Sequence, residues 1–156
     1  VAWSASKIFS ATVKDVFDNT TAIDYGADTP KVSLHNNSIT PDQTVASAAT
    51  AFNTGVWTTT NEVTDATGWP SGGRPLVSAT WAFSSNVCTY DAADTVSVNS
   101  TTTLAAVFGC LVYDDTITTP VADQGLSYHY FGGTQSVTSG QFTVVWHASG
   151  IQTYTL

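Results

Sequence analysis

Ten consecutive residues, Leu104 to Tyr113, carry no charge and a single glycine. A helix that crosses a membrane needs about 20 apolar residues, so this run is too short to span a bilayer. A strand with one wet face would alternate apolar and polar residues, and this run does not. It reads instead as a strand buried on both faces. A chain holding such a strand must cover it from each side, which makes Leu104–Tyr113 the expected centre of a packed β domain.

The segments around it fit that frame. Lys31–His35 alternates as a half-buried or edge strand would. Val56–Val63, Leu76–Phe83, Val87–Tyr90, Thr95–Val98, Leu126–Phe131, Gln141–His147 and Ile151–Thr155 read as further short strands. Gly68–Pro75 holds too many breakers to be anything but a loop, and Gly132-Gly133 and Ser149-Gly150 read as turns. Two helices are expected in the first third. Ala5–Phe17 places Ile8, Phe9, Val13, Val16 and Phe17 at helical spacing behind Ser4 as N-cap. Thr40-Pro41-Asp42-Gln43 carries the pattern of a capping box with Pro at the first helical position, and Gly55 would end that helix. The fold class is therefore mainly β: a single-domain β-sandwich or jelly-roll-like domain over residues 1–156, with two short helices in its N-terminal half. No internal repeat or linker divides it. Pro30, which cannot donate to a ladder, suggests that the first strand starts just after it.

Composition narrows the function. Thr and Ser supply 43 of the 156 residues, while charged residues supply only 10 %, so the polar surface is mostly hydroxyl. The net charge is −8, and Lys7, Lys14, Lys31 and Arg74 are scattered along the chain. Nucleic acid and anionic membrane surfaces would repel it, so neither is expected as a partner. No charged-then-apolar leader opens the sequence.

No motif for chemistry stands out. Asp91 and Asp94, and Asp114 and Asp115, sit at the ends of apolar runs, where Asp commonly forms turns. His35, His129 and His147 lie far apart, each in a strand candidate, without metal-ligand spacing. There is no GxSxG elbow and no phosphate loop. No catalytic residue, metal or cofactor is expected. Cys88 and Cys110 lack a CxxC pattern; two buried thiols or one disulfide between neighbouring strands both fit the spacing. Trp57, Trp81 and Trp146 fall inside strands and read as core. Trp69 lies in the Gly/Pro loop beside Arg74; simple packing of the loop fits it, and so does an interface role, since an aromatic with an arginine on one loop are the residue types that anchor interfaces.

The order of short motifs then resembles a family of small virion proteins encoded by tailed bacteriophages, including those of actinobacteria. An N-terminal helix is followed by Ala22-Ile-Asp24, Asp28-Thr-Pro-Lys-Val-Ser-Leu34 and Ser38-Ile-Thr-Pro-Asp42. Gly68-Trp-Pro-Ser-Gly-Gly-Arg-Pro-Leu76, Tyr90-Asp-Ala-Ala-Asp94 and Leu104 to Asp115 come next. Tyr130-Phe-Gly-Gly133, Phe142-Thr-Val-Val-Trp146 and Gly150-Ile151 close the chain. The resemblance implies a non-enzymatic structural protein of the virion. Its partners would be the major capsid protein or tail proteins of the same particle, and it would be a homo-oligomer. Without heptads or repeats for a fibre, a capsid decoration protein is the leading expectation. A minor tail protein, or a carbohydrate-binding module using exposed aromatics, is the alternative. The expected binding parts are Trp3 and Lys7 in the N-terminal segment and the Trp69–Arg74 loop.

Overall fold

A computed structural model describes residues 3–156 of the protein. It is mainly β, with two short helices and several antiparallel sheets. The central sheet is built on β7 (Thr102–Asp114). β7 pairs with β2 (Pro30–His35) on one side and β8 (Gly125–Gly140) on the other. Two-residue strands flank these: β1 (Lys7–Ile8) lies against β8, and β3 (Arg74–Pro75) against β2. The order is β1-β8-β7-β2-β3, with β7 in the middle.

The apolar run on β7 has its reason in two hydrophobic clusters. Cys110 and Val112 point into one with Val32, Leu34 and Leu126, while Leu111 and Tyr113 point into the other with Trp3, Phe9 and Trp57. Each large apolar side chain buried this way contributes about 1.5–3 kcal/mol. The first cluster is roofed by β4 (Val77–Ser84), β5 (Val87–Ala93) and β10 (Gln152–Thr155), in the order β10-β5-β4. Beside that sheet lies the pair β6 (Thr95–Val96) and β9 (Thr143–Val144). Tyr90, Val144, Trp146 and Ile151 of the roof meet the central sheet, so one sheet face packs on another. The second cluster is covered by Trp3 and Phe9 of the N-terminal segment and by Ile39 and Trp57.

The helices are shorter than their sequence patterns suggest. Of Ala5–Phe17 only α1 (Ser10–Phe17) is helical, its N-cap is Phe9 rather than Ser4, and Lys7–Ile8 pair with Tyr128 and Ser127 as β1. Tertiary strand pairing and the burial of Phe9 outweigh a propensity already lowered by β-branched residues. Of Thr40–Gly55 only Ser47–Thr50 is helical, as α2. Asp42 Oδ1 accepts hydrogen bonds from the Thr44 amide (2.8 Å) and hydroxyl (2.7 Å), an Asx turn that competes with a helix start.

Other boundaries move for similar reasons. Val56–Val63 is a series of turns tied by Asn61 Nδ2 to the Val56 carbonyl (3.0 Å), and only Glu62 bridges to His35. Gly132-Gly133 is no turn. Both lie inside β8, where five steps from Tyr130 to Gln135 oppose two on β7, and the positive φ of both suits a bulge. Gln141–His147 keeps only Thr143–Val144 as strand, and Thr95–Val98 only its first two residues. Pro30 is the first strand residue, opposite Asp114, rather than the residue before it. Trp57 and Trp146 are core, but Trp81 is 42 % exposed, because β4 is the outer strand of the roof. Cys88, half-buried on β5, and Cys110, buried on β7, are free thiols.

Candidate functional site

The four residues expected to carry an interface do not form one. Trp69 is fully buried. Its indole nitrogen donates to the Val32 carbonyl (3.1 Å), and its ring meets Phe142 edge-on at 5.8 Å. The loop is drawn down to the sheet: a Cβ on Gly73, at φ +81°, would stand 1.9 Å from the Val32 carbonyl oxygen. Asp65 fastens its start, accepting from the amides of Thr103 (2.7 Å), Thr67 (2.9 Å) and Gly68 (3.0 Å). Those donors hold the Asp65 carboxyl down at about 2. Trp3 is equally buried, donating to the Asn36 carbonyl (2.8 Å) and packing on Trp57 at 5.8 Å. An indole without solvent exposure offers a partner no surface, so Trp3 and Trp69 are corrected to core anchors. Lys7 is exposed on β1, and Arg74, on β3, donates through Nε to the Val96 carbonyl (3.2 Å). β1 and β3 are opposite edges of the central sheet, so these two cations are not brought together.

The acidic and histidine residues are equally dispersed. Asp94 Oδ1 accepts from the Trp146 amide (3.0 Å), and Asp115 pairs with Lys31 (2.7 Å). Asp114 is more than a turn former: it accepts from the Thr116 amide (2.9 Å) but is completely buried, and its Oδ2 has no hydrogen-bond donor. Burial and the adjacent Asp28 carboxyl push it up to about 7. His35 Nε2 lies 3.0 Å from Ser33 Oγ and His129 Nε2 3.0 Å from Ser127 Oγ; burial pushes them down to about 3 and about 4. Among the described residues no three His, Cys, Asp or Glu side chains are grouped to hold a metal ion.

The exposed apolar surface lies elsewhere. A groove of about 980 Å³ opens between α1 and the roof sheet. Val13, Val16 and Phe17 of α1 form one wall. Tyr25, Trp81, Cys88 and Tyr154 form the floor, and Leu156 stands at the rim. Phe17 is 80 % and Leu156 78 % exposed, so the groove is open and its apolar rim meets solvent. Its floor is held firmly. Tyr25 stacks on Trp81 (5.0 Å between rings), and Tyr154 meets Trp81 edge-on. The hydroxyls of Tyr25 (3.0 Å) and Tyr154 (3.1 Å) donate to Gln152 Oε1, whose amide nitrogen donates to Ser127 Oγ (2.9 Å). Among the described residues Asp24 is the one acidic side chain in the lining.

Sequence reasoning missed this site. Its parts come from five separated stretches of chain, and Trp81 reads as core because it falls inside a strand candidate. The available signal was Val16-Phe17 at the end of an amphipathic helix with nothing local to cover it. No protein-family model, no curated protein and no solved structure matches this chain.

Proposed function

We propose that the chain is a non-enzymatic structural protein of a tailed-bacteriophage virion, a capsid decoration protein that docks on the assembled shell through the Trp81 groove. The observation carrying this reading is the groove itself: an open apolar cleft floored by stacked aromatics on an acidic domain rich in hydroxyl side chains. The order of motifs from Ala22 to Ile151 supports the virion assignment. The chemistry of the groove suits apolar side chains from a protein partner. A glycan would need several polar groups to match its hydroxyls, whereas the lining is dominated by Phe17, Tyr25, Trp81, Tyr154 and aliphatic residues. Those aromatics still make sugar binding by a minor tail protein the second reading.

Quantitative mass spectrometry of purified particles tests the placement. Copies in proportion to the major capsid subunit support decoration. Copies in proportion to a tail-tip component move the protein to the tail, and absence from clean particles removes the virion reading. On shells lacking the protein, Phe17→Ser and Leu156→Ser should reduce rebinding at least tenfold without loss of folded signal, since these side chains are 80 % and 78 % exposed at the groove rim. Alkylation of Cys88 in the groove should slow when the shell is bound. Unchanged rebinding by both variants would place the contact elsewhere.

A further inference from the structure

We propose that the β4 edge pairs with the β4 edge of a second copy of this chain, forming a twofold dimer through a continuous antiparallel sheet. Among the described residues β4 has a neighbour, β5, on one side only. Its outer main-chain N–H and C=O groups therefore face solvent along eight residues, Val77–Ser84, nearly all of them exposed. Such an edge is a template for another strand, and proteins usually blunt it with charge, proline or shortness. The central sheet does so: its edges are two residues long and carry Lys7 on β1 and Arg74-Pro75 on β3. β4 carries no charge and no proline. Its irregularity is confined to one end, where Ser78 has φ 55° and the register shifts between Val77 and Thr80.

The regular part is self-complementary. Thr80-Trp81-Ala82-Phe83-Ser84 reads hydroxyl, aromatic, small, aromatic, hydroxyl in either direction. A twofold axis perpendicular to the sheet keeps each side chain on its own face, so opposed residues must have the same parity. Centring the axis on Ala82 meets that condition. It sets Trp81 opposite Phe83 of the second copy, and Phe83 opposite Trp81. Aromatic cross-strand pairs of this kind stabilise sheets, and here they cover Phe83, which is 65 % exposed and lies outside the groove lining, against the edge of Trp81. Charge points to the same occupant. Two chains of net charge −8 repel broadly, and an uncharged strip is where they can approach. One strand pair falls below the roughly 1,200 Å² at which stable specific interfaces begin, so the dimer dissociates on dilution. The inference rests on the β4 edge alone and stands whether or not the protein belongs to a virion.

Sedimentation velocity of the whole chain from low to high micromolar concentration reads it directly. The wild type should shift toward twice the 16.4 kDa chain mass as concentration rises. Ala82→Lys, on the exposed face opposite Trp81, sets two ammonium groups across the axis and should leave a monomer with unchanged circular dichroism. Ala82→Glu should do the same, and mixing the two variants should restore the dimer. A wild type that stays monomeric throughout overturns the proposal and leaves the edge to an extended segment of another protein. A dimer unaffected by both substitutions overturns it as well.

Discussion

Asp114 is a carboxyl with nowhere to put a charge. It is fully buried, its Oδ2 lacks a donor, and Asp28 stands beside it. With its folded pKa up at about 7 against an ordinary value of 3.8, the folded state holds a proton that the unfolded chain releases. Stability from this group is therefore lost as pH rises from about 4 to 7. His35 and His129 act in the opposite sense: held neutral down to about 3 and about 4, they cost stability as pH falls below 6.5. Asp114→Asn keeps an acceptor for the Thr116 amide and supplies a donor toward Asp28 without needing a proton. Thermal melts should show the variant equal to the wild type near pH 4 and more stable at pH 7, by at least about 1.4 kcal/mol, the worth of one pKa unit. A difference that does not change with pH would mean that Asp114 is not the group holding the proton.

The Gly68–Pro75 loop shows how one anchor sets an element. Trp69 fills the core beneath it, Asp65 ties its entry to Thr103, and Gly73 lets it touch Val32. Trp69→Ala should cost about 3–5 kcal/mol, the usual range for emptying a large aromatic site. Urea denaturation checks this; a loss under 1 kcal/mol would return Trp69 to the surface role its loop sequence suggests. The same loop marks what was legible in the sequence. Its breakers give the loop, and the uninterrupted apolar run gives the central strand β7, because both signals are local. What covers them is not local. Asx turns at Asp42 and side-chain bonds at Asn61 replace an expected helix and an expected strand. The burial of Trp3 and Trp69 depends on how the N-terminal segment and the loop fold onto the central sheet, and the exposure of Trp81 on β4 being the outer strand of the roof. Position in the fold, rather than residue type, sorts these tryptophans into core and surface.

At the scale of the molecule, the groove and the β4 edge share Trp81, so docking and self-association bear on each other. The proposed twofold axis runs perpendicular to the roof sheet and keeps both Trp81 faces on the same side of the dimer. Each dimer then carries two grooves related by that axis, and a repeating shell that engages both holds the dimer at two points. Two-point attachment raises the effective affinity by roughly 10²–10⁴ without adding a contact. Ala82→Lys leaves the groove intact but separates the two sites, while Phe17→Ser damages each site and leaves the edge alone. Measured by protein bound to shells at limiting concentration, Ala82→Lys should therefore lose at least tenfold. Mixed with Ala82→Glu it should recover, and Phe17→Ser should lose binding with no recovery from any edge variant. Full binding by a strictly monomeric Ala82→Lys protein would show that each groove acts alone, because the two-point geometry would then contribute nothing to attachment.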